Sequence, residues 1–189
     1  KNDYDGSWGI YDEPFFSYYL EYLNSEKEPF ISSIFSVSSH PPYVIPPKYK
    51  GIFPKGTLDI HESIGYTDFA LKKFFEHAKE EQWYERTLFV ITADHTSPES
   101  EKEKTKIERY SIPIIYFLGD SSLKGKEETI TQQIDIMPTI LDIIGYNKKF
   151  FSFGKSISSK SDWAISFINN EYLFIHENGF LIERNERYT

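Results

Sequence analysis

The sequence predicts an α/β fold, because strand-like apolar runs alternate along the chain with amphipathic helical segments. Three observations carry this prediction: an unbroken apolar run at Thr87–Ala93, a helical apolar pattern over Leu58–Glu80, and a second strand-helix pair within residues 112–145. With 189 residues, of which 39% are apolar, the chain is long enough to bury one core. We therefore predict a single domain over residues 1–189.

The first elements are a helix and a strand. A short helix is expected near residues 14–23, where apolar side chains share one face and the acidic pair Asp12-Glu13 is expected to cap the start. The run Phe30–Val37 then has strand character. It is halted by Ser38–Tyr43, whose prolines exclude both a helix and a central strand. His40 is therefore expected in a loop at the end of a strand.

A long helix should follow an irregular excursion. Residues 41–57 hold five of the ten prolines and two glycines, which favours an irregular surface segment. Beyond it, apolar residues recur at helical spacing over about Leu58–Glu80. The apolar positions are Ile60, Ile64, Leu71, Phe74, Phe75 and Ala78. This pattern predicts a helix packed on a sheet.

The run Thr87–Ala93 is β-rich and lacks polar alternation, which is typical of a strand buried on both faces of an α/β sheet. Asp94 and His95 follow it directly. Residues 97–109 are dominated by charge and are expected to form a solvated loop.

The last third should complete the fold. Ile112–Leu118 is an apolar strand with its proline near the start, and helical spacing over residues 134–144 ends at Gly145. Three short strand-like runs follow and are separated by hairpin turn residues. They are Trp163–Ile168, Glu171–His176 and Phe180–Glu183. This tail predicts an antiparallel meander.

Composition excludes several functional classes. A formal charge of −8 without a basic block leaves no electrostatic footprint for nucleic acid, which we do not expect as a partner. The absence of cysteine excludes disulfides, thiolate metal sites and a cysteine nucleophile within these residues. No run approaches the ~18 apolar residues of a membrane helix, and the start has neither a signal peptide's apolar stretch nor an initiator Met. We expect the chain to be a piece of a longer protein.

The Asp94-His95 pair has the composition of a metal-binding corner. At the carboxyl end of a strand, where the chain turns, both side chains can converge on one ion. A carboxylate and an imidazole suit Mn²⁺, Zn²⁺ or Fe better than Ca²⁺, but two ligands do not complete a site. A bare Asp-His dipeptide is more often a turn cap followed by an ordinary loop histidine. On local sequence alone both interpretations stay open.

The other histidines carry weaker signals. A loop histidine such as His40 commonly hydrogen-bonds to the backbone, and its position alone does not assign a role. His61, His77 and His176 fall within a predicted helix and a hairpin. Surface or packing roles are expected for these three.

Five ordered blocks together resemble the carboxyl-terminal half of lipoteichoic-acid-synthase-like proteins, which are sulfatase-family members of the alkaline phosphatase superfamily. The blocks are Phe30–Tyr43, Tyr66–Leu71 with Phe74-Phe75, Trp83–His95, Ile112–Tyr116 and Asp135–Leu141. The resemblance spans about Trp8 to Trp163. It implies a partial α/β/α sandwich of the alkaline phosphatase type, with a mainly parallel sheet and C-terminal antiparallel hairpins.

The resemblance also implies a site. Asp94 and His95 would bind a divalent metal, Mn²⁺ first, with Zn²⁺, Mg²⁺ or Ca²⁺ as alternatives. A further carboxylate and a threonine nucleophile would come from an amino-terminal half of the same protein, and the intermediate would be a phospho-threonine. His40 matches the family residue that contacts the substrate phosphate. No catalytic nucleophile is expected within these 189 residues, so this missing half is the predicted partner and the fragment alone should be inactive.

The implied function is phosphoryl transfer or phosphodiester hydrolysis on a phospholipid head group or a glycan. One alternative is a sulfatase, a sulfuric ester hydrolase, since the superfamily handles both phosphate and sulfate esters. A second is a non-catalytic binding domain that keeps the fold. Thr96-Ser97-Pro98 lacks the glycine and further histidines that many relatives carry after the Asp-His pair, which leaves a second metal site unsupported. By the same resemblance, the parent would be tethered to the cell membrane with this part extracytoplasmic, in the periplasm or at the cell surface.

Overall fold

The computed structural model describes residues 3–97, 105, 107–159, 162–168, 170–184 and 187–188. The chain divides into two compact units. The first comprises residues 1–90 and 116–123, and the second comprises residues 91–115 and 124–189. The single-domain organisation stays a prediction, and each unit is described by itself.

The first unit is built on two helices, α1 (Asp12–Ser25) and α2 (Ile60–Ala78), which pack on each other. Pro14 lies in the first turn of α1, where a missing N–H is harmless. The core of the unit consists of Phe16, Leu23, Ala70, Phe74, Ala78, Trp83 and Tyr84. Burial of these apolar side chains is the main stabilising term of the unit.

The buried stripe of α2 overlaps the predicted one only in part: Phe74 and Ala78 are buried, and Leu71 and Phe75 are partly buried against the core. It runs through Ser63, Tyr66, Ala70, Phe74 and Ala78, whereas Ile64 is exposed. Both sets follow helical spacing, and the observed stripe adds Ser63, Tyr66 and Ala70 to the predicted positions Phe74 and Ala78. Packing against α1 therefore decides which face is buried.

No strand is formed at residues 30–37, where one was predicted, and the run makes no ladder with any described strand. Its side chains alternate between half-buried and exposed, and Ile31 and Phe35 are 99% and 66% exposed. A strand requires a hydrogen-bonding partner, which local sequence cannot supply. The prediction of a strand at residues 30–37 is therefore wrong for the residues that the structure describes.

The two apolar runs around the Asp-His pair form strands β1 (Leu88–Thr92) and β2 (Ile114–Leu118), which pair with each other. Gly119 N–H donates to Thr87 O over 3.1 Å at one end, and Thr92 Oγ1 donates to Pro113 O over 3.0 Å at the other. The pair is therefore antiparallel. The strand pairs among the described residues are all antiparallel, whereas a mainly parallel sheet was predicted.

The second unit contains helix α3 (Ile136–Ile143) and an antiparallel meander of β3 (Trp163–Ile168), β4 (Glu171–His176), β5 (Gly179–Arg184) and β6 (Arg187–Tyr188). The register pairs Ile165 with Phe174 and Leu173 with Ile182. The α/β class and the C-terminal hairpins are thus confirmed. In the predicted charged loop, residues 98–104 and 106 lie outside the described residues. Among the helices described, none has the length and apolar character needed to cross a membrane.

Candidate functional site

Asp94 and His95 lie two and three residues past the end of β1, at a corner held by the second unit. The Nε2 amide of Gln133 donates to the carbonyl oxygens of Ala93 and Asp94 over 3.1 and 2.9 Å. Gln133 begins the short 3-10 turn that leads into α3. One side-chain amide thus fixes two consecutive peptide groups of the corner.

Asp135 gives that turn its shape. Its buried carboxylate accepts the N–H groups of Gln132 and Lys155, both over 2.8 Å. Thr139, also fully buried, accepts the N–H of Ile157 over 3.1 Å. These bonds explain why an Asp and a Thr stand in the block Asp135–Leu141: they tie the start of α3 to residues 155–157.

The two atoms of the Asp-His pair that could bind a metal, Asp94 Oδ2 and His95 Nε2, lie close together. Asp94 Oδ1 accepts the backbone N–H of His95 over 2.8 Å, which leaves Oδ2 available at 3.5 Å from His95 Nε2. This separation is longer than a good hydrogen bond. Both side chains are open to solvent, with 55% of Asp94 and 67% of His95 exposed.

The tautomer of His95 follows from its other nitrogen. Nδ1 lies 2.8 Å from the carbonyl oxygen of Thr96. A carbonyl can only accept, so Nδ1 carries the proton and the neutral ring keeps a lone pair on Nε2. A backbone carbonyl bound to the second ring nitrogen is the usual way in which proteins orient a metal-binding histidine.

A second Asp-His pair in the same unit has the opposite tautomer. His176 Nε2 lies 3.4 Å from Asp162 Oδ2, but its Nδ1 accepts the backbone N–H of Asn178 over 3.3 Å. In the neutral ring Nε2 must then hold the proton and cannot bind a metal. The two pairs have nearly the same distance between the carboxylate oxygen and Nε2, 3.5 and 3.4 Å. Of the two, only Asp94-His95 presents lone pairs on both Oδ2 and Nε2.

These residues fit a divalent metal. Two ligands held at about 2.1 Å from one ion at a tetrahedral angle lie about 3.4 Å apart, close to the observed 3.5 Å between Oδ2 and Nε2. Within the part of the chain that the structure describes, no group of three or more His, Cys, Asp or Glu residues could hold an ion. Asp94 and His95 could therefore hold an ion only together with ligands from outside this corner.

His40 lies in the first unit, on two consecutive turns. Its N–H donates to Val37 O over 3.0 Å, and its carbonyl accepts the N–H of Tyr43 over 2.9 Å. The ring is exposed, and its Nδ1 donates to Pro41 O over 2.8 Å. His40 therefore has the same tautomer as His95, with the lone pair on Nε2.

Asp12 anchors the chain just before this loop. Its fully buried carboxylate accepts the N–H groups of Val37 and Ser38 over 3.2 and 3.1 Å, and the hydroxyl of Thr67 over 2.6 Å. Its own N–H donates to Ser38 Oγ over 3.1 Å. The predicted helix-cap role of Asp12 is wrong, since its side chain binds the loop and α2 instead.

Glu13 organises the proline-rich excursion. Its carboxylate receives Lys73 Nζ at 2.7 Å, Lys48 Nζ at 2.9 Å and the hydroxyl of Tyr49 at 2.8 Å. Desolvation by burial raises the pKa of Glu13, but the hydrogen bonds from these three residues outweigh it and lower the pKa to about 2. Glu13 too is not a helix cap: it joins α1 to α2 and to residues 48–49.

This lowered pKa predicts a loss of stability in acid. The Glu13 carboxyl has an ordinary pKa of 4.5 and a folded pKa of about 2, so between these values the unfolded chain binds more protons. The contribution of Glu13 to the free energy of unfolding should therefore be fully present above pH 4.5 and should fall as the pH drops towards 2. Urea unfolding midpoints across this range should fall less steeply for Glu13→Gln. Glu21→Gln, an exposed carboxylate on the same helix, should keep the wild-type slope; equal slopes in all three proteins would contradict the prediction.

The remaining histidines have local structural contacts. His61 Nδ1 accepts the backbone N–H of Thr57 over 3.0 Å at the start of α2, and His77 Nδ1 donates to Lys73 O over 2.8 Å. With His176 on its hairpin, each of the three lies in the element predicted for it, and their surface or packing roles stay predictions.

The structure brings Asp94 and His95 together and adds Gln133 to them, whereas His40 belongs to the other unit. Sequence reasoning missed Gln133 and Trp8, whose indole lies against His40. Neither residue belongs to a pattern with chemical meaning by itself. Only the position of Gln133, just before the Asp135–Leu141 block, could have drawn attention to it.

Solved structures define the class of fold. A protein in the alkaline phosphatase superfamily from Vibrio parahaemolyticus superposes with a TM-score of 0.84 at 23% identity, covering 98% of this chain and 47% of that one. The lipoteichoic acid synthase LtaP from Listeria monocytogenes gives a TM-score of 0.71 at 20% identity, covering 97% of this chain and 54% of that one. The fold is thus that of the alkaline phosphatase superfamily.

The sequence comparison names the family. The sulfatase family model matches residues 1–146, and the chain belongs to the sulfatase family. Among its relatives, lipoteichoic acid synthase 1 from Bacillus subtilis is 26% identical over 184 residues, with 87% of this chain and 29% of the relative covered. The lipoteichoic acid synthase-like YvgJ from the same organism is 28% identical, with 89% and 32% covered. The chain spans less than a third of the length of these relatives.

Proposed function

We propose that this chain is the C-terminal part of a metal-dependent phosphotransferase or phosphodiesterase that acts on a phospholipid head group or a glycan. The observation that carries the proposal is the Asp94-His95 corner, where Oδ2 and a lone pair on Nε2 lie 3.5 Å apart. The names of the relatives support phosphoryl transfer as the reaction class.

Asp94 and His95 would hold Mn²⁺, with Zn²⁺, Mg²⁺ or Ca²⁺ as alternatives. When bound, such an ion polarises a phosphoryl oxygen and favours the deprotonated form of a nucleophile. Gln133 keeps the corner rigid by holding the carbonyls of Ala93 and Asp94. His40 would contact the substrate phosphate through Nε2, either as a hydrogen-bond donor when protonated or as a proton carrier.

The remaining parts of the machinery are proposed to lie in an amino-terminal half of the same protein. This half would bring a threonine nucleophile and a further carboxylate. Two features support the idea. Among the described residues no strand pairs with residues 30–37, and β1 has β2 as its one neighbouring strand. A partner strand from that half would cover the exposed apolar side chains of Ile31 and Phe35.

We further propose that the parent is tethered to a membrane with this part outside the cytoplasm. The names of the lipoteichoic acid synthase relatives motivate the proposal. These 189 residues contain no cysteine, so a cysteine introduced on an exposed site of β4 adds one thiol to the parent, and its labelling is measured as the difference from the unmodified parent. Labelling by a membrane-impermeant maleimide in intact cells supports the proposal, and labelling only after lysis would refute it.

The experiment for the function compares substrates and proteins. Purified full-length parent with Mn²⁺ should cleave a phosphodiester at least ~10²-fold faster than the matching sulfate ester, whereas the 189-residue chain should cleave neither. The family model that matches favours a sulfuric ester hydrolase as the second candidate, and the opposite substrate preference would establish it. A parent whose melting temperature does not rise with Mn²⁺, Zn²⁺, Mg²⁺ or Ca²⁺, and that cleaves neither ester, would be a non-catalytic domain. Turnover by the 189-residue chain alone would contradict the need for a second half.

A further inference from the structure

The surroundings of His40 include an aromatic residue outside the core. Trp8 is 62% exposed, and its ring centroid lies 4.4 Å from that of His40, with the planes inclined by 62°. Its indole Nε1 donates to Pro41 O over 2.8 Å. A large aromatic side chain that is this exposed contributes little to stability through burial. Its contacts with His40 and Pro41 are therefore the interactions to explain.

Pro41 O is shared by two donors. Trp8 Nε1 and His40 Nδ1 each lie 2.8 Å from it, and a carbonyl oxygen has two lone pairs to accept both. The indole therefore fixes the acceptor on which the tautomer of His40 depends. Its edge contact also limits rotation of the imidazole about its side-chain bonds.

A compact loop presents Trp8 at this position. Asp5 Oδ1 accepts the N–H groups of Ser7, Trp8 and Gly9 over 2.7, 2.9 and 3.1 Å, and Asp5 N–H donates to Gly9 O over 2.8 Å. Gly6 adopts a φ of +86°, which an L side chain rarely tolerates. The loop thus determines the direction in which the indole leaves the backbone.

We propose that Trp8 is a positioning residue for His40, holding the imidazole as the Nδ1–H tautomer so that Nε2 is the nitrogen that takes up and gives back a proton. The inference rests on the role proposed above for His40. Trp8 does not touch the reacting atoms in this scheme: it acts through the Pro41 carbonyl and the ring edge. Orienting residues of this kind commonly change activity by ~10- to 100-fold.

The tautomer can be measured directly. Long-range ¹H–¹⁵N correlation spectra of the ¹⁵N-histidine-labelled chain, at a pH where the rings are neutral, should show His40 as Nδ1–H. Trp8→Ala should convert it to a mixture of tautomers, and Trp8→Phe, which keeps a ring but loses the N–H donor, should do so in part. Trp163→Phe, a tryptophan of the β3 strand, should leave His40 unchanged, and His176 should remain Nε2–H throughout as an internal reference.

Kinetics of the full-length parent add a second measurement. Trp8→Ala should lower kcat ~10-fold at an unchanged melting temperature, and it should have no further effect in a His40→Ala background, because the two residues act as one unit. An Nε2–H tautomer of His40 in the wild type, an unchanged tautomer in Trp8→Ala, or additive kinetic effects would each overturn the proposal. A parent without phosphodiester turnover would refute the proposed function, while the spectra would still decide the role of Trp8.

Discussion

Replacing Asp94 and His95 together by alanine should abolish metal-dependent turnover in the full-length parent, with a loss of at least ~10³-fold. A bound metal contributes several kcal/mol to phosphoryl transfer, and each 1.36 kcal/mol of barrier corresponds to about a tenfold change in rate. Both donors are exposed at a corner held by Gln133, so their removal should leave folding intact. The same variant should lose the rise in melting temperature that Mn²⁺ gives to the parent.

The matched control for this experiment is the second Asp-His pair. Asp162 and His176 have nearly the same separation, 3.4 Å, but the Nδ1 of His176 accepts a backbone N–H. Asp162→Ala with His176→Ala should therefore keep both the Mn²⁺-induced shift and the turnover. Equal losses in the two double variants would point to general destabilisation. A retained metal shift in the Asp94 and His95 variant would remove these residues from the site.

Gln133→Ala refines the same test, because it deletes the amide that holds two peptide carbonyls without touching either proposed ligand. If the corner is a metal site, the peptide groups of Ala93 and Asp94 should be less well fixed in this variant. Metal affinity should then fall by ~10- to 100-fold, with the number of bound ions unchanged. Isothermal titration of the parent with Mn²⁺ separates a weakened site from a lost one.

The elements that the sequence predicts well are those whose signals are local. The hairpin strands β3 and β4 match their predicted bounds because alternation and turn residues specify a hairpin without distant partners. The run at residues 30–37 also has the right local pattern, yet its ladder would depend on residues far away or outside these 189. Pairing is a tertiary property, so a local apolar pattern alone could not ensure that residues 30–37 form a strand.

The candidate site was predictable in position and not in detail. The location of Asp94 and His95 beyond a strand implied that their side chains could converge, and the donor atoms do lie 3.5 Å apart. What separates this pair from Asp162 and His176 is whether a C=O or an N–H faces Nδ1. That difference depends on the backbone path of one or two residues, which no side-chain pattern encodes. Ligation itself stays a proposal.

Substitution of His40 is the second test with a large expected effect. In the full-length parent, His40→Ala should lower turnover ~10²-fold or more without unfolding the protein, because general acid-base and charge-stabilising side chains contribute on that scale. The ring is exposed and its one described polar contact, with Pro41 O, is replaceable by water. The loop itself is held by Asp12 through the N–H groups of Val37 and Ser38, which the substitution leaves intact.

Two amide variants can separate the functions of the two ring nitrogens of His40. Asparagine places an N–H near the position of Nδ1 and can keep the bond to Pro41 O, but it has no counterpart of Nε2. Glutamine can place an amide near Nε2 and can steady a phosphate without exchanging a proton. If Nε2 transfers a proton, both variants should be as slow as alanine; if it only donates a hydrogen bond, glutamine should recover part of the rate. His77→Ala, which removes an exposed histidine from α2, should remain near wild type, and a near-normal rate for His40→Ala would exclude His40 from the site.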